Sequence, residues 1–190
     1  MNAEHRCACA SEEWRATVRD FIMPWVLADV DLGDHVIELG PGFGATTDVL
    51  RERASRVTAV EIAPDLARDL AQRLANTNVE VVEGDATALN FPDGSFSAAT
   101  SFSMLHHVPS PELQDRLFAE AYRVLRPGGS LAATDSLDKP ELRSFHRDDT
   151  FVPIDPGDLS VRLRHAGFTD IAIERNEFAW KAVARRSAAS

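Results

Sequence analysis

Val36-Ile37-Glu38-Leu39-Gly40-Pro41-Gly42-Phe43-Gly44-Ala45-Thr46-Thr47 reads as a short apolar strand, a turn holding three glycines and the first turn of a helix. Glycine at alternate positions after a strand opens backbone conformations closed to other residues and lets a ligand approach the main chain. A cofactor site is the expectation, set against the plainer one of a tight turn with no ligand. From here the chain alternates strand and helix, which calls for a parallel sheet with both faces covered.

Strands are expected at His35–Leu39, Val57–Glu61, Val79–Glu83, Phe96–Ser103 and Ser130–Asp135, the first after the turn Asp31-Leu32-Gly33-Asp34 and the fourth after Pro92-Asp93-Gly94-Ser95. Helices are expected at Thr46–Arg53, at Pro64–Leu74, where Leu66, Leu70 and Leu74 share a face, and at Pro111–Leu125, closed by Arg126-Pro127-Gly128-Gly129. A last helix, Leu159–Ala166, stops at Gly167, and strands follow at Thr169–Arg175 and Phe178–Ala184. The joint at Asn176 is short enough for a hairpin, so the final strand should run antiparallel to the others. Ahead of the first strand, Ser11 is placed to cap an amphipathic helix that turns Trp14, Val18, Phe21, Ile22 and Trp25 inward, with a kink at Pro24. This N-terminal segment, 1–30, packs as core or folds over a ligand as a lid, with Trp14 the residue to watch. Regularity fades over 136–157, read as a short helix plus a loop on the substrate side.

The whole chain, 1–190, is expected to form one domain, large enough to bury a core without disulfides or metals. Hydrophobic content of 44% and charged content of 26% are those of a soluble globular protein, and no apolar run approaches the roughly 18 residues of a membrane span. Met1 to Ala10 lacks the apolar stretch of a secretion signal, which points to the cytosol. Cys7 and Cys9 are too close for a ready disulfide and have no second pair to complete a zinc site; they read as incidental thiols, or one of them lines the ligand pocket. A net charge of −10 argues against a nucleic-acid surface and for a small-molecule partner.

An open parallel sheet binds ligands outside the carboxyl ends of its strands. Glu61 ends the second strand, 17 residues after Gly44, where a carboxylate can accept both hydroxyls of a ribose, and Asp85 follows the third, near a nucleoside's base. The pair suggests an adenosine-containing ligand. Gly40, Gly42 and Ala45 also fit the relaxed dinucleotide pattern, but Glu38, two residues before the first glycine, would repel a pyrophosphate and welcome an ammonium. That charge favours S-adenosylmethionine over a nicotinamide dinucleotide.

With these residues the chain resembles the class I S-adenosylmethionine-dependent methyltransferases, of the small-molecule type that includes the quinone-biosynthesis enzymes. The resemblance runs from about Val36 to Ala133, more loosely to Ala184. It rests on the opening stretch together with Val60-Glu61, Gly84-Asp85-Ala86, Leu89-Asn90-Phe91-Pro92-Asp93-Gly94-Ser95-Phe96, Leu105-His106-His107-Val108 and Arg123-Val124-Leu125-Arg126-Pro127-Gly128-Gly129. It implies a Rossmann-like, doubly wound α/β sheet of seven strands, the last antiparallel and lying between the fifth and sixth. It further implies that Glu38 and the Gly40-Gly42-Gly44 loop hold the methionine end, that Glu61, followed by Ile62, takes the ribose hydroxyls, and that Asp85 with the Ala86 amide takes the adenine. Ser101 and Phe102 would border the methionine and the transferred methyl. Ser97 departs from the family, which usually has aspartate after the equivalent of Phe96, and this questions a local contact at that strand's start.

Methyl transfer is an in-line displacement at an already activated carbon, so alignment and exclusion of water come first. A hydroxyl or carbon-acid acceptor would be helped by a histidine near neutral pKa. His106 and His107, after the fourth strand, and His146, in the irregular segment, are the candidates, although His106 also suits a role shaping the cofactor floor through backbone hydrogen bonds. A metal held by His106, His107 and Asp135 is not expected, because adjacent histidines point apart and no ligand-spaced motif appears. The competing functions are a nicotinamide-dependent oxidoreductase and a protein that binds S-adenosylmethionine without transferring its methyl.

Overall fold

The structure is a computed structural model and describes residues 2–188; positions 1, 189 and 190 of the expected domain lie outside the described residues. Seven strands form one sheet in the order β3-β2-β1-β4-β5-β7-β6. They are β1 His35–Leu39, β2 Arg56–Glu61, β3 Val79–Glu83, β4 Phe96–Phe102, β5 Leu125–Ser136, β6 Thr169–Arg175 and β7 Ala179–Arg185. β7 is antiparallel to both its neighbours and the other pairings are parallel, as the hairpin at Asn176 required. The Asn176 carboxamide oxygen closes that hairpin by accepting from the amides of Phe178 (2.8 Å) and Ala179 (2.9 Å).

The central strands are apolar on both faces because each face is covered. Ile37, Ala99, Leu131 and Ala133 pack with Leu117, Phe118, Leu159 and Leu163 on one side, while Val36, Ala98 and Ala132 pack with Val18, Met23 and Leu50 on the other. The helices around the sheet are α1 Ala3–Ala10, α2 Glu12–Thr17, α3 Met23–Val26, α4 Ala45–Arg53, α5 Pro64–Arg73, α6 Pro111–Val124, α7 Pro140–Phe145 and α8 Pro156–His165. The short α7 sits where a short helix plus a loop was expected, and no helix among the described residues is long and apolar enough to cross a membrane.

β5 begins earlier than expected. The Pro127-Gly128-Gly129 signal does end α6, but the chain leaves it extended: Phe96 pairs with Leu125 across a bulge, and Gly128 and Gly129 exchange hydrogen bonds with Arg186. Ser97 does serve the start of β1. Its hydroxyl accepts from the His35 amide (2.8 Å) and lies 2.7 Å from the Leu32 carbonyl, so a serine makes the local contact the departure had questioned.

The N-terminal segment differs most from its reading. Asn2 caps a helix, α1, that periodicity did not show, its side chain accepting from the His5 amide at 2.9 Å. Beyond the expected cap at Ser11, a π-helical turn, Val18–Ile22, separates α2 from α3. The wider turn shifts the buried stripe to Val18, Met23 and Val26 and leaves Phe21, read as inward, 73% exposed. Phe21→Ser is therefore expected to change unfolding free energy by no more than about 0.5 kcal/mol, and Val18→Ala to cost about 2 kcal/mol. Urea denaturation of the two variants measures both; a large loss for Phe21→Ser would restore the simple helix.

Candidate active site

The glycine turn is built as a left-handed run, with φ of +70° at Gly40, +54° at Gly42 and +78° at Gly44. Gly44 and Gly42 have different reasons to be glycine. A Cβ on Gly44 would stand 2.4 Å from Leu70 and Arg73 of α5, so this glycine serves packing. A Cβ on Gly42 would meet nothing within 4 Å, because that side of the loop faces a cavity.

The cavity, of about 660 Å³, lies at the carboxyl ends of β1 to β4. Of the residues read as cofactor-binding, Gly40, Gly42, Glu61, Ile62, Asp85, Ala86 and Phe102 line it, whereas Glu38, Gly44 and Ser101 do not. Glu61 is 6% exposed and ties the loop in place: its carboxylate accepts from the Gly42 amide (2.9 Å) and the Ala63 amide (3.0 Å). Ile62 beside it is 67% exposed, an apolar surface at the cavity's edge. Asp85 accepts from the Thr87 amide at 2.8 Å.

Glu38 is placed differently from its reading. It is buried behind the loop, where its carboxylate accepts from the hydroxyls of Thr46 and Thr47 and pins the first turn of α4 to β1. Burial pushes its carboxyl up to about 7, the two hydroxyls opposing the rise. Ser101 is buried too, and its hydroxyl has no hydrogen-bond partner among the described residues.

The other end of the cavity is roofed by two segments far apart in sequence, α1 and the α7 region. Asn2 joins them, donating from its side chain to the carbonyls of Phe145 (2.9 Å) and Arg147 (3.1 Å). Arg6 holds α1 down through Asp65 (2.7 Å) and the face of Phe43. Trp14 and Cys9 also line the cavity, Cys9 as a thiol whose pKa burial raises, while Cys7 is exposed. Roof and core, the two uses weighed for Trp14, therefore coincide: it faces the cavity and packs against the core.

Histidines gather under this roof. Asp135, at the end of β5, holds His106 twice, through the backbone amide (2.8 Å) and through Nδ1 (2.5 Å). His107 follows on the 3₁₀ turn Leu105–His107, and although successive residues of such a turn leave it about 120° apart, the two rings come within 4.2 Å. The expectation that adjacent histidines diverge fails here. His146 arrives from the end of α7 with Nδ1 fixed by the Leu142 carbonyl at 2.7 Å. His5, absent from the sequence reading, completes the group from α1, its ring 4.5 Å from that of His146 and 4.9 Å from that of His107. The only signal for it was local, Asn2 ahead of Glu4 as a helix start. Burial, and then the neighbouring His146, depress His5 to about 4; burial and His106 depress His107 to about 3; burial also lowers His146. In all three, burial favours the neutral imidazole.

A family profile described as a methyltransferase domain matches residues 37–133, the stretch carrying the loop, Glu61, Asp85, His106 and β5. The chain belongs to this methyltransferase family. Its sheet order is the one that the resemblance to the class I S-adenosylmethionine-dependent enzymes implied. The methyltransferase is 44% identical over 97 residues to a "Probable ribosomal RNA small subunit methyltransferase A" of Haloarcula marismortui, a match covering 49% of this chain and 32% of that protein. It is 32% identical over 109 residues to a demethylmenaquinone methyltransferase of Tropheryma whipplei, covering 56% and 43%. The chain thus spans 32% and 43% of these relatives' lengths. A solved S-adenosylmethionine-dependent methyltransferase from Aquifex aeolicus shares the fold with a TM-score of 0.73 at 16% identity, over 98% of this chain and 99% of that one.

The cavity of the methyltransferase fits the cofactor on its own geometry. Its volume lies within the range of small-molecule sites. The open side of Gly42 leaves room for a ligand against the main chain, a buried carboxylate stands at the end of β2, and a second carboxylate lies under the loop.

Proposed function

We propose that this methyltransferase acts in the cytosol on a small, largely apolar acceptor whose nucleophilic heteroatom is held at the histidine end of the cavity. One observation carries this reading: the cavity as a whole is lined mostly by apolar surface, and its end away from Glu61 and Asp85 is roofed by α1 and α7, which are bonded to each other through Asn2. Such a chamber admits a compact molecule. A net charge of −10 opposes the phosphate contacts that a ribosomal RNA substrate would need, and the demethylmenaquinone relative supports a quinol-like acceptor.

The cofactor supplies a methyl carbon already activated by its sulfonium. In our reading Glu61 accepts from the ribose hydroxyls, Ile62 covers the base, Asp85 and the Ala86 amide hold the adenine edge, and Gly40 and Gly42 give their backbone to the methionine end. Glu38 adds negative charge from beneath, Gly44 lets α5 support the loop, and Phe102 forms the floor with Ser101 buried behind it. The roof excludes water. His106, oriented by Asp135, receives the acceptor's proton, and His107 and His146 complete the polar end that positions it.

The test follows transfer of an isotopically labelled methyl group from S-adenosylmethionine to a panel of quinols and phenols and, in parallel, to ribosomal RNA. Label in a phenolic acceptor is expected; label in RNA alone would overturn the small-molecule reading, and label in neither would leave a cofactor-binding protein. With the acceptor in hand, Asp135→Asn is expected to lower kcat about 100-fold while changing cofactor affinity less than about threefold. Equal turnover would remove His106 from the chemistry.

A further inference from the structure

We infer that His5, His106, His107 and His146 form a binding site for a divalent transition-metal ion of the zinc class, which ties the two roof segments to the turn after β4. Each ring offers one nitrogen, and the four nitrogens lie within 4.8 Å of one another. Tetrahedral zinc with nitrogen ligands at about 2.05 Å needs them about 3.4 Å apart, so small side-chain rotations close the set. An all-imidazole donor set suits zinc, copper or nickel and not magnesium or calcium, which take oxygen.

The surroundings have the form of a metal site's outer shell. Asp135 takes Nδ1 of His106 and the Leu142 carbonyl takes Nδ1 of His146, which presents the opposite nitrogen of each ring to the group. Those two Nε2 atoms are buried and have no hydrogen-bond partner among the described residues. Nδ1 of His5 lies 3.4 Å from the Asp149 carboxylate. Asp135 thus places a negative charge behind one of the ligand rings. The Arg6 guanidinium, the one Lys or Arg side chain among the described residues lining the cavity, is engaged by Asp65.

Three stretches of chain meet at this point, α1, the turn after β4 and the end of α7, and an ion would fasten them in one step. The site goes beyond the proposed function: with the ion bound, the four ring nitrogens are its ligands, and the ion closes the roof over the histidine end of the cavity.

Untagged protein, stripped with a chelator and titrated with zinc chloride in competition calorimetry, is expected to take one ion per chain with submicromolar affinity. His5→Ala and His146→Ala should each weaken binding at least about 100-fold, whereas His165→Ala, exposed at the end of α8, should not change it. X-ray absorption of the zinc-loaded parent, which needs no variant to fold, should show four nitrogen ligands at about 2.0–2.1 Å. Hydrogen exchange over residues 3–10 and 140–149 should slow on loading. Millimolar affinity, a shell of oxygen, or equal binding by the His5 and His146 variants would overturn the site, and unchanged exchange would overturn its fastening role. S-adenosylmethionine binding to the stripped protein tests the methyltransferase reading separately, so either can fail alone.

Discussion

Glu61→Ala is expected to weaken S-adenosylmethionine binding by a factor on the order of 10³ in calorimetry, with Glu61→Gln in between. The carboxylate is nearly buried at the cavity wall, and it already accepts from the amides of Gly42 and Ala63. In the proposed complex it also accepts from the two ribose hydroxyls. A hydrogen bond to a charged acceptor contributes about 1.5–3 kcal/mol, so losing two exceeds a hundredfold before the loop's release is counted. Glutamine keeps one acceptor oxygen and should lose less. Gly42→Val tests the same wall by a different route. Its side chain would project into empty space, so the unliganded fold should lose only the roughly 1–2 kcal/mol of a left-handed residue, yet the side chain would stand where the cofactor approaches. If both Glu61→Ala and Gly42→Val bind the cofactor as the parent does, the site has been misplaced.

The parts of this site that were legible in the sequence are those that local chemistry determines. β1, β3 and β6 lie where alternation and turn residues put them, to the residue, and the loop, Glu61 and Asp85 meet in one cavity because each ends a parallel strand. What stayed hidden depends on contacts across the chain. Phe21 occupies an inward position on an α-helix and becomes exposed because a π turn intervenes, which apolar spacing does not encode. Glu38 looks like any carboxylate before a glycine loop; only the fold shows Thr46 and Thr47 turning back to enclose it. His5 stands about a hundred residues from His106, and α1 and the α7 loop must both close before the four rings can meet.

Glu38→Gln is expected to make the unliganded protein more stable at pH 8 while weakening its hold on the cofactor. Burial raises the Glu38 carboxyl to about 7, from an ordinary value of 4.5, and the charges of Asp48 on α4 and Glu61 at the end of β2 act in the same direction. Between these two values the folded chain keeps a proton that the unfolded chain has lost. The parent's stability should therefore fall as pH rises from 4.5 and level off above 7, a loss on the order of 3 kcal/mol. Glutamine has no such proton and can still bond both threonine hydroxyls. The two melting temperatures should coincide near pH 4.5 and separate by several degrees at pH 8, with the variant higher. Binding should show the opposite preference. A cofactor ammonium over the loop favours the ionised carboxylate, so the parent should bind S-adenosylmethionine more tightly at pH 8 than at pH 6, and the variant should bind weakly with little dependence on pH. A variant that melts lower at pH 8 would show that the threonine bonds outweigh the cost of burying charge. A variant that keeps the parent's affinity at both pH values would show that Glu38 anchors the helix and does not attract the methyl donor.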